Sequence, residues 1–263
     1  MLVPKEIYGS IMLLDTEDTG ISVDLYRDGT REWNCPQVMK SILKPGMVCI
    51  EAGACLGFYA LMEAKAGCKV YAIEPNPSNV NILSQAIELN GYENIELFNI
   101  ALGNVDRTND FMIEARANLG RILHTQARDI PAHAIVDTIQ VEEKRLDTFT
   151  VEQGIDHVDL LRFDIESYEV ELIEGAQKTL HRMPKGSWIF GEFHTIHFDD
   201  PKVLQPTIQS LIDHGFVPRH VIHMLDGSGS PVPGIEDKDP KDFARACVED
   251  FPKSAPRVFL QKA

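Results

Sequence analysis

Four clusters of polar residues follow short apolar runs, and each carries groups able to bind a ligand or move a proton. The first is Glu51-Ala-Gly53-Ala-Cys55-Leu-Gly57, behind Met47-Val-Cys-Ile50. Glycines permit a tight turn and close approach of backbone to a ligand. The spacing is not Gly-x-Gly-x-x-Gly, because Cys55 holds the middle position. That weakens a phosphate-cradling reading, and Glu51 would sit badly beside a pyrophosphate. A carboxylate here suits a cationic ligand with an amino group, such as the methionine end of S-adenosylmethionine. A plain strand-to-helix turn is the alternative.

The second cluster is Glu74-Pro75-Asn76, behind Lys69-Val-Tyr-Ala-Ile73. An acid at the end of a second parallel strand can accept hydrogen bonds from both hydroxyls of a ribose. It can also simply favour a helix dipole. The third is Asp164-Ile-Glu166-Ser-Tyr168-Glu169, behind Leu160-Leu-Arg-Phe163. Asp164 and Glu166 share a side if the strand continues. They could orient a substrate hydroxyl, take its proton or bind a cation; a salt-bridged pair is the alternative. The fourth is Glu192-Phe-His194-Thr-Ile-His197, behind Trp188-Ile-Phe190. His194 could serve as a general base. Asp164, Glu192 and His194 could also hold a hard metal, though no spacing demands it and none is assigned. His197 is a weaker candidate, and His181, His214, His220 and His223 read as structural.

The elements that must position these groups follow from periodicity. Continuous apolar runs at 47–50, 69–73, 160–163 and 188–190 predict strands buried on both faces; 95–102 predicts another. Helices are predicted over 58–66, from Asn76 or Ser78 to Leu89, over 168–182 and over 203–214. Short strands are expected at 111–113 and 138–141, and two final strands at 216–225 and 257–261. Residues 1–45 form a separate N-terminal extension ahead of a domain spanning 46–263. In the extension, Ile21-Ser-Val-Asp-Leu-Tyr26 alternates as a half-buried strand does, Asp28-Gly29 marks a turn, and a short helix fits within 32–43. Residues 226–256 predict a long loop with a short helix at 243–247. Strands alternating with helices imply an α/β, doubly wound, mainly parallel sheet, with ligands bound beyond the strands' carboxyl ends.

Composition narrows the classes. The formal charge of the 263 residues is −15, which repels a phosphate polymer, so nucleic acid is not expected as a partner. No apolar run reaches the ~20 residues needed to span a bilayer. Five cysteines without a Cys-x-x-Cys fit reduced thiols in a reducing compartment; Cys49 reads as a small core residue. A soluble, cytoplasmic protein with a small-molecule substrate is expected, and a homo-oligomer is compatible with that.

Five motifs then occur in one order: Glu51-Ala-Gly-Ala-Cys-Leu-Gly-Phe-Tyr59, Ala72-Ile-Glu-Pro-Asn-Pro77, Asn99-Ile-Ala-Leu-Gly103, Leu146-Asp-Thr-Phe149 and Arg162-Phe-Asp-Ile-Glu-Ser-Tyr-Glu169. Across roughly 45–195 the chain resembles the FkbM-type methyltransferases. The resemblance implies a Rossmann-like sheet of seven strands with helices on both faces, and S-adenosylmethionine as cofactor. It places Glu51, Gly53, Ala54, Cys55 and Gly57 at the methionine portion. Glu74 and Pro75 fall at the ribose, and Asn99 to Ala101 near the adenine. Asp164 and Glu166 fall beside the methyl group. The expected reaction is methylation of a hydroxyl on a small molecule, sugar or lipid. Asp164 or His194 would take the proton and Glu166 would orient the acceptor. Glu51, Cys55 and Ser167 stand where the family usually has Asp, Asn and Gly. The N-terminal extension and the tail after 226 carry no motif and are where substrate recognition, including a substrate lid, is expected. A nicotinamide-dependent oxidoreductase and a non-catalytic S-adenosylmethionine-binding protein are the competing readings.

Overall fold

In the computed structural model, described over residues 1–32, 34–223, 230–231, 239–251 and 253–263, the buried apolar runs assemble into one central sheet. The chain opens with a hairpin, β1 (Leu2–Ile7) and β2 (Ser10–Asp15), then α1 (Ile21–Asp28) and α2 (Cys35–Ile42). Next come β3 (Val48–Ala52), α3 (Phe58–Lys65), β4 (Lys69–Ile73), α4 (Pro77–Asn90) and β5 (Ile95–Phe98). An insertion holds β6 (Ala101–Gly103), β7 (Arg107–Glu114) and β8 (Ile135–Arg145). The second half supplies α5 (Leu146–Glu152), β9 (Leu160–Phe163), α6 (Glu169–Glu174), α7 (Gln177–Arg182) and β10 (Trp188–Glu192). It ends with α8 (Gln205–Asp213), β11 (Phe216–His223), β12 (Ser230–Pro231), α9 (Pro240–Glu249) and β13 (Arg257–Lys262).

Seven strands lie in the order β11-β13-β10-β9-β3-β4-β5, with the two-residue β12 on the outer edge of β11. The run from β10 to β5 is parallel, and β13 is antiparallel to both neighbours. The chain reverses its winding at β3, so the carboxyl ends of β3, β4, β9 and β10 share one edge. This matches the expected α/β Rossmann-like sheet. Alternation along each strand divides the core. Cys49, Val70, Ala72 and Phe190 pack with residues of α1 to α4 on one face. Ile50, Ile73, Leu161 and Ile189 pack with α5 to α9 on the other. Residues of 1–42 thus share a buried cluster with the sheet.

Several elements differ from the sequence reading. Residues 21–26 form helix, not strand. Ile21 and Leu25 are buried and Val23 and Tyr26 exposed, a 3.6-residue pattern that mimics alternation over six positions. The Asp18 carboxylate accepts the Gly20 and Ser22 N–H groups at the start. Left-handed Gly29 closes the end by donating to Leu25 O. The 95–102 strand divides. β5 stays in the central sheet, and β6 joins β8 and β7 in a separate three-stranded sheet. The helix expected over 168–182 is two helices, α6 and α7. At the break, Gly175 passes so close to β6 that a Cβ would lie 1.9 Å from Gly103 O. The helix expected at 243–247 lies within the longer α9. The rest of the predicted 226–256 loop falls partly outside the described residues. Among those described, no helix is long and apolar enough to cross a membrane.

The break gives the Leu146-Asp-Thr-Phe149 motif a structural role. Asp147 accepts the backbone N–H of Lys178 and of Thr179 and the Thr179 hydroxyl, at 2.7–3.0 Å. It therefore caps α7 from another helix. Asp147→Ala should cost about 1–2 kcal/mol in urea unfolding, with cofactor affinity unchanged well below the transition.

Candidate active site

The sheet's reversal point opens into a cleft of roughly 900 Å³, its mouth included. Gly53, Ala54, Cys55, Glu74, Pro75, Ala101 and Asp164 line it, as the sequence suggested. Glu51, Gly57, Asn99, Glu166 and His194 are not among its lining residues. Each of these five instead supports a residue that is, or shapes the loop beside it.

The loop after β3 is pinned to its neighbours. Gly53 and Ala54 donate their N–H groups to Ile73 O at the end of β4, at 2.9 and 3.0 Å. Gly53 has φ +81°, and a Cβ there would stand 2.0 Å from Asp164 O. Cys55 adopts φ +49°, a region uncommon for non-glycine residues in which asparagine is enriched. Gly57 starts α3 in the left-handed region. Glu74 receives N–H groups from Cys55 (2.8 Å) and Asn76 (2.9 Å), and the Asn79 amide (3.3 Å). No cation pairs with it among the described residues. Burial pushes its carboxyl up to about 7, against the pull of those donors. Asn99 latches the strand end by donating to Glu74 O and Pro75 O, both at 2.9 Å.

Beneath the loop runs a chain of buried charges. Glu51 is 1% exposed and accepts from Arg162 Nη1; burial pushes it to about 7. Beside it Glu63 of α3 is fully buried, and burial first, then the Glu51 charge, hold it protonated. Glu51 Oε2 and both Glu63 carboxyl oxygens are buried with no other hydrogen-bond partner, and a protonated Glu63 is able to donate to Glu51. Arg162 Nη2 donates to Asp164 Oδ2 at 3.1 Å, and its guanidinium lies 4.4 Å above the Tyr59 ring. The Tyr59 hydroxyl donates to Glu32, and Arg257 bridges Glu32 (3.3 Å) and Glu192 (2.8 Å). Sequence reasoning gave no role to Glu32, Glu63, Asn79 or Arg257. Tyr59 and Arg162 lay inside the quoted motifs without one. No spacing could have paired Glu32 with Arg257.

His194 gathers the acids. Its Nδ1 lies 2.6 Å from Glu169, and its Nε2 lies 3.5 Å from Asp164, Glu166 and Glu192 alike. Burial opposes the imidazolium, but Glu166 and Glu169 outweigh it and hold the ring protonated well above its ordinary value. A protonated ring has no lone pair with which to take a proton. This departs from the expectation of His194 as general base. Glu166 also departs from expectation. β9 stops at Phe163, and Glu166 and Ser167 have φ +51° and +88°, so the two acids do not share a strand face. Glu166 turns to His197 Nε2 at 2.8 Å. Burial works against its charge, yet His194 and His197 bring it down to about 2. Asp164, its side chain 26% exposed, is the carboxylate of this group that lines the cleft. Asp164, Glu192 and His194 also bring one ligand atom each within 4.8 Å of one another, as do Glu166, His194 and His197. A hard cation could sit there, in place of the charge that the His194 proton supplies.

Comparison with known proteins gives the family. The methyltransferase FkbM domain matches residues 51–218, most of the chain and every cluster described above. The chain belongs to the FkbM methyltransferase family. The matched region is thus a methyltransferase domain, and S-adenosylmethionine is the cofactor that family implies. A ribosomal protein L11 methyltransferase of Caldanaerobacter subterraneus subsp. tengcongensis is 33% identical over 73 residues, 27% of this chain and 24% of that enzyme. This chain therefore matches about a quarter of that relative's length. Among solved structures, an rRNA methylase from Streptococcus thermophilus has TM-score 0.50 at 14% identity, covering 87% of this chain and 93% of that one. That likeness speaks for the fold. Fibrillarin from Aeropyrum pernix, solved with natively bound S-adenosyl-L-methionine, gives TM-score 0.48 at 12% identity, covering 86% and 73%.

The residues present in this FkbM-family chain fit the cofactor. Glu74 is a carboxylate at the cleft wall with N–H partners only, free to accept hydroxyls. Gly53 lets the loop after β3 lie directly against Asp164 O, where a Cβ would stand 2.0 Å away. Ile73, Leu102 and Ile122 give the cleft an apolar wall for a flat base.

Proposed function

We propose that the chain methylates a hydroxyl oxygen on a small molecule, sugar or lipid, with Asp164 accepting the proton. Bound S-adenosylmethionine supplies an electrophilic methyl group, so the protein's work is placement and deprotonation. The observation that carries the reading is Asp164 itself. It faces the cleft, is held from behind by Arg162 at 3.1 Å, and has the His194 ring 3.5 Å away. Glu166 and Glu169 keep His194 charged and in place, so we assign both to positioning. Glu74 receives the ribose hydroxyls. Ile21, Arg31 and Glu32 line the cleft, which supports residues 1–45 as the wall over it. Five free cysteines fit a reducing compartment such as the cytoplasm.

A second reading, a nucleic-acid acceptor, is favoured by the rRNA methylase likeness and opposed by the −15 charge. Incubation with methyl-labelled S-adenosylmethionine and separate pools of hydroxylated metabolites, lipids and RNA decides between them. Label on an oxygen of the first two pools supports the proposal. Label confined to RNA overturns it.

The Glu74 assignment carries a pH dependence. The free carboxyl sits at about 7, and only its ionised form accepts from both ribose hydroxyls. Binding must therefore release a proton at pH 6 and none at pH 8.5. S-adenosylhomocysteine should bind more tightly as pH rises through 7 and level off above it. Calorimetry in two buffers of different ionisation enthalpy reads both effects, and Glu74→Gln should abolish the slope.

A further inference from the structure

We propose that Arg31, in the segment before α2, receives the carboxylate of the cofactor's methionine end. The inference rests on the reading that this cleft binds S-adenosylmethionine.

The methionine end carries a carboxylate as well as an ammonium, and the cleft is poor ground for an anion. Glu32, Glu74 and Asp164 line it. A carboxylate entering beside them needs a guanidinium or ammonium partner. Three arginines line the cleft: Arg31, Arg121 and Arg162. Arg162 is spent on Glu51 and Asp164. Arg121 has its charge paired with Glu114 through Nη2 at 2.8 Å, although its buried Nε has no partner, and both side chains are only 9% exposed. Arg31 is different. Its nearest carboxylate among the described residues is Glu32 at 3.8 Å, beyond hydrogen-bond reach. That carboxylate already accepts from Tyr59 and Arg257. Among the described residues the Arg31 fork thus lines the cleft with no carboxylate in hydrogen-bond reach.

Its location fits the methionine end, not the ribose end. Arg31 lines the cleft together with Gly53 and Cys55 of the loop after β3 and with the proton acceptor Asp164. Its position is also fixed. Glu32, the next residue, has φ +57°, an uncommon conformation for a non-glycine residue. Its buried bonds to Tyr59 and Arg257 hold that turn against α3 and β13. The N-terminal segment is thereby clamped to the sheet at the point where it offers a cation to the cleft.

The test compares three ligands by calorimetry: S-adenosylhomocysteine, its decarboxylated analogue and 5′-methylthioadenosine. Each is titrated into the wild-type chain, Arg31→Gln and Arg31→Lys, with thermal melts confirming that each variant folds. A charge-assisted hydrogen bond of about 1.5–3 kcal/mol corresponds to a roughly ten- to hundredfold change in affinity. Arg31→Gln should weaken S-adenosylhomocysteine by that factor and leave the two ligands without a carboxylate within about twofold. Arg31→Lys should restore part of the loss. Equal weakening of all three ligands, or no weakening of any, overturns the proposal while leaving the cofactor reading intact. Unchanged cofactor affinity with a raised KM for the acceptor also overturns it, and assigns Arg31 to an anionic acceptor. No binding of S-adenosylhomocysteine to the wild-type chain defeats the cofactor reading and the proposal together.

Discussion

Asp164→Asn is expected to lower kcat by about 10²–10⁴-fold, the usual worth of a positioned general base, while S-adenosylhomocysteine still binds. Asparagine keeps the size of the side chain and can still meet Arg162 through its amide oxygen. It cannot take up a proton at neutral pH. His194→Gln should lower kcat less, because it removes a charge that holds Asp164, not the proton acceptor. It should leave S-adenosylhomocysteine affinity unchanged while kcat falls, since Asp164 loses the ring 3.5 Å away that holds it in place. A purely structural histidine would change stability without lowering the kcat of the folded enzyme. If Asp164→Asn and His194→Ala both retained full activity, the assignment of the proton acceptor would be wrong.

Gly53→Ala is expected to destabilise the fold by about 2–5 kcal/mol and to abolish cofactor binding in whatever remains folded. Two costs add. An L residue at φ +81° is strained by roughly 1–2 kcal/mol, and forcing a methyl into a packed site costs about 1–3 kcal/mol more. The methyl would stand 2.0 Å from Asp164 O, a backbone atom that cannot swing aside. Relief requires parting the ends of β3 and β9, whose bond from Asp164 N–H to Ala52 O is 3.1 Å. That motion displaces the loop and the proton acceptor together. Gly91→Ala separates the two costs. Gly91 ends α4 at φ +63° with nothing within 4 Å of a Cβ, so it carries the strain alone and leaves the cleft intact. Urea unfolding of both variants, with calorimetry at low denaturant, checks the difference.

The strand ends were the most legible part of the sequence. A strand buried on both faces is written as a continuous apolar run, and the residues just past its carboxyl end must lie at the sheet's edge. That logic located Gly53, Glu74 and Asp164, all of which line the cleft. It failed where a few residues satisfied two periods at once, as at Ile21 to Tyr26, and where the chain changed sheets between Phe98 and Ala101. The inner ring of charges was illegible for another reason. Whether His194 takes a proton or already holds one depends on Glu166 and Glu169 folding back on it. That in turn depends on positive φ at Glu166 and Ser167, a backbone turn that neither residue type advertises. Likewise Glu63 reads as one polar residue in an apolar helix until Glu51 is seen beside it. The partners of Arg257 lie far from it along the chain. The family resemblance supplied order and cofactor, and the geometry then reassigned roles within it. Leu146-Asp-Thr-Phe149 became a cap, Asn99 a latch and His194 a fixed cation.

The central claim is that the edge formed by Gly53, Glu74 and Asp164 binds S-adenosylmethionine and not a nicotinamide dinucleotide. Calorimetric titration of the wild-type chain at pH 8 with S-adenosylhomocysteine, and separately with NAD, tests it most directly. The account predicts saturable one-to-one binding of S-adenosylhomocysteine, weakened by Glu74→Gln, and no binding of NAD. Binding of NAD with no response to S-adenosylhomocysteine would contradict it.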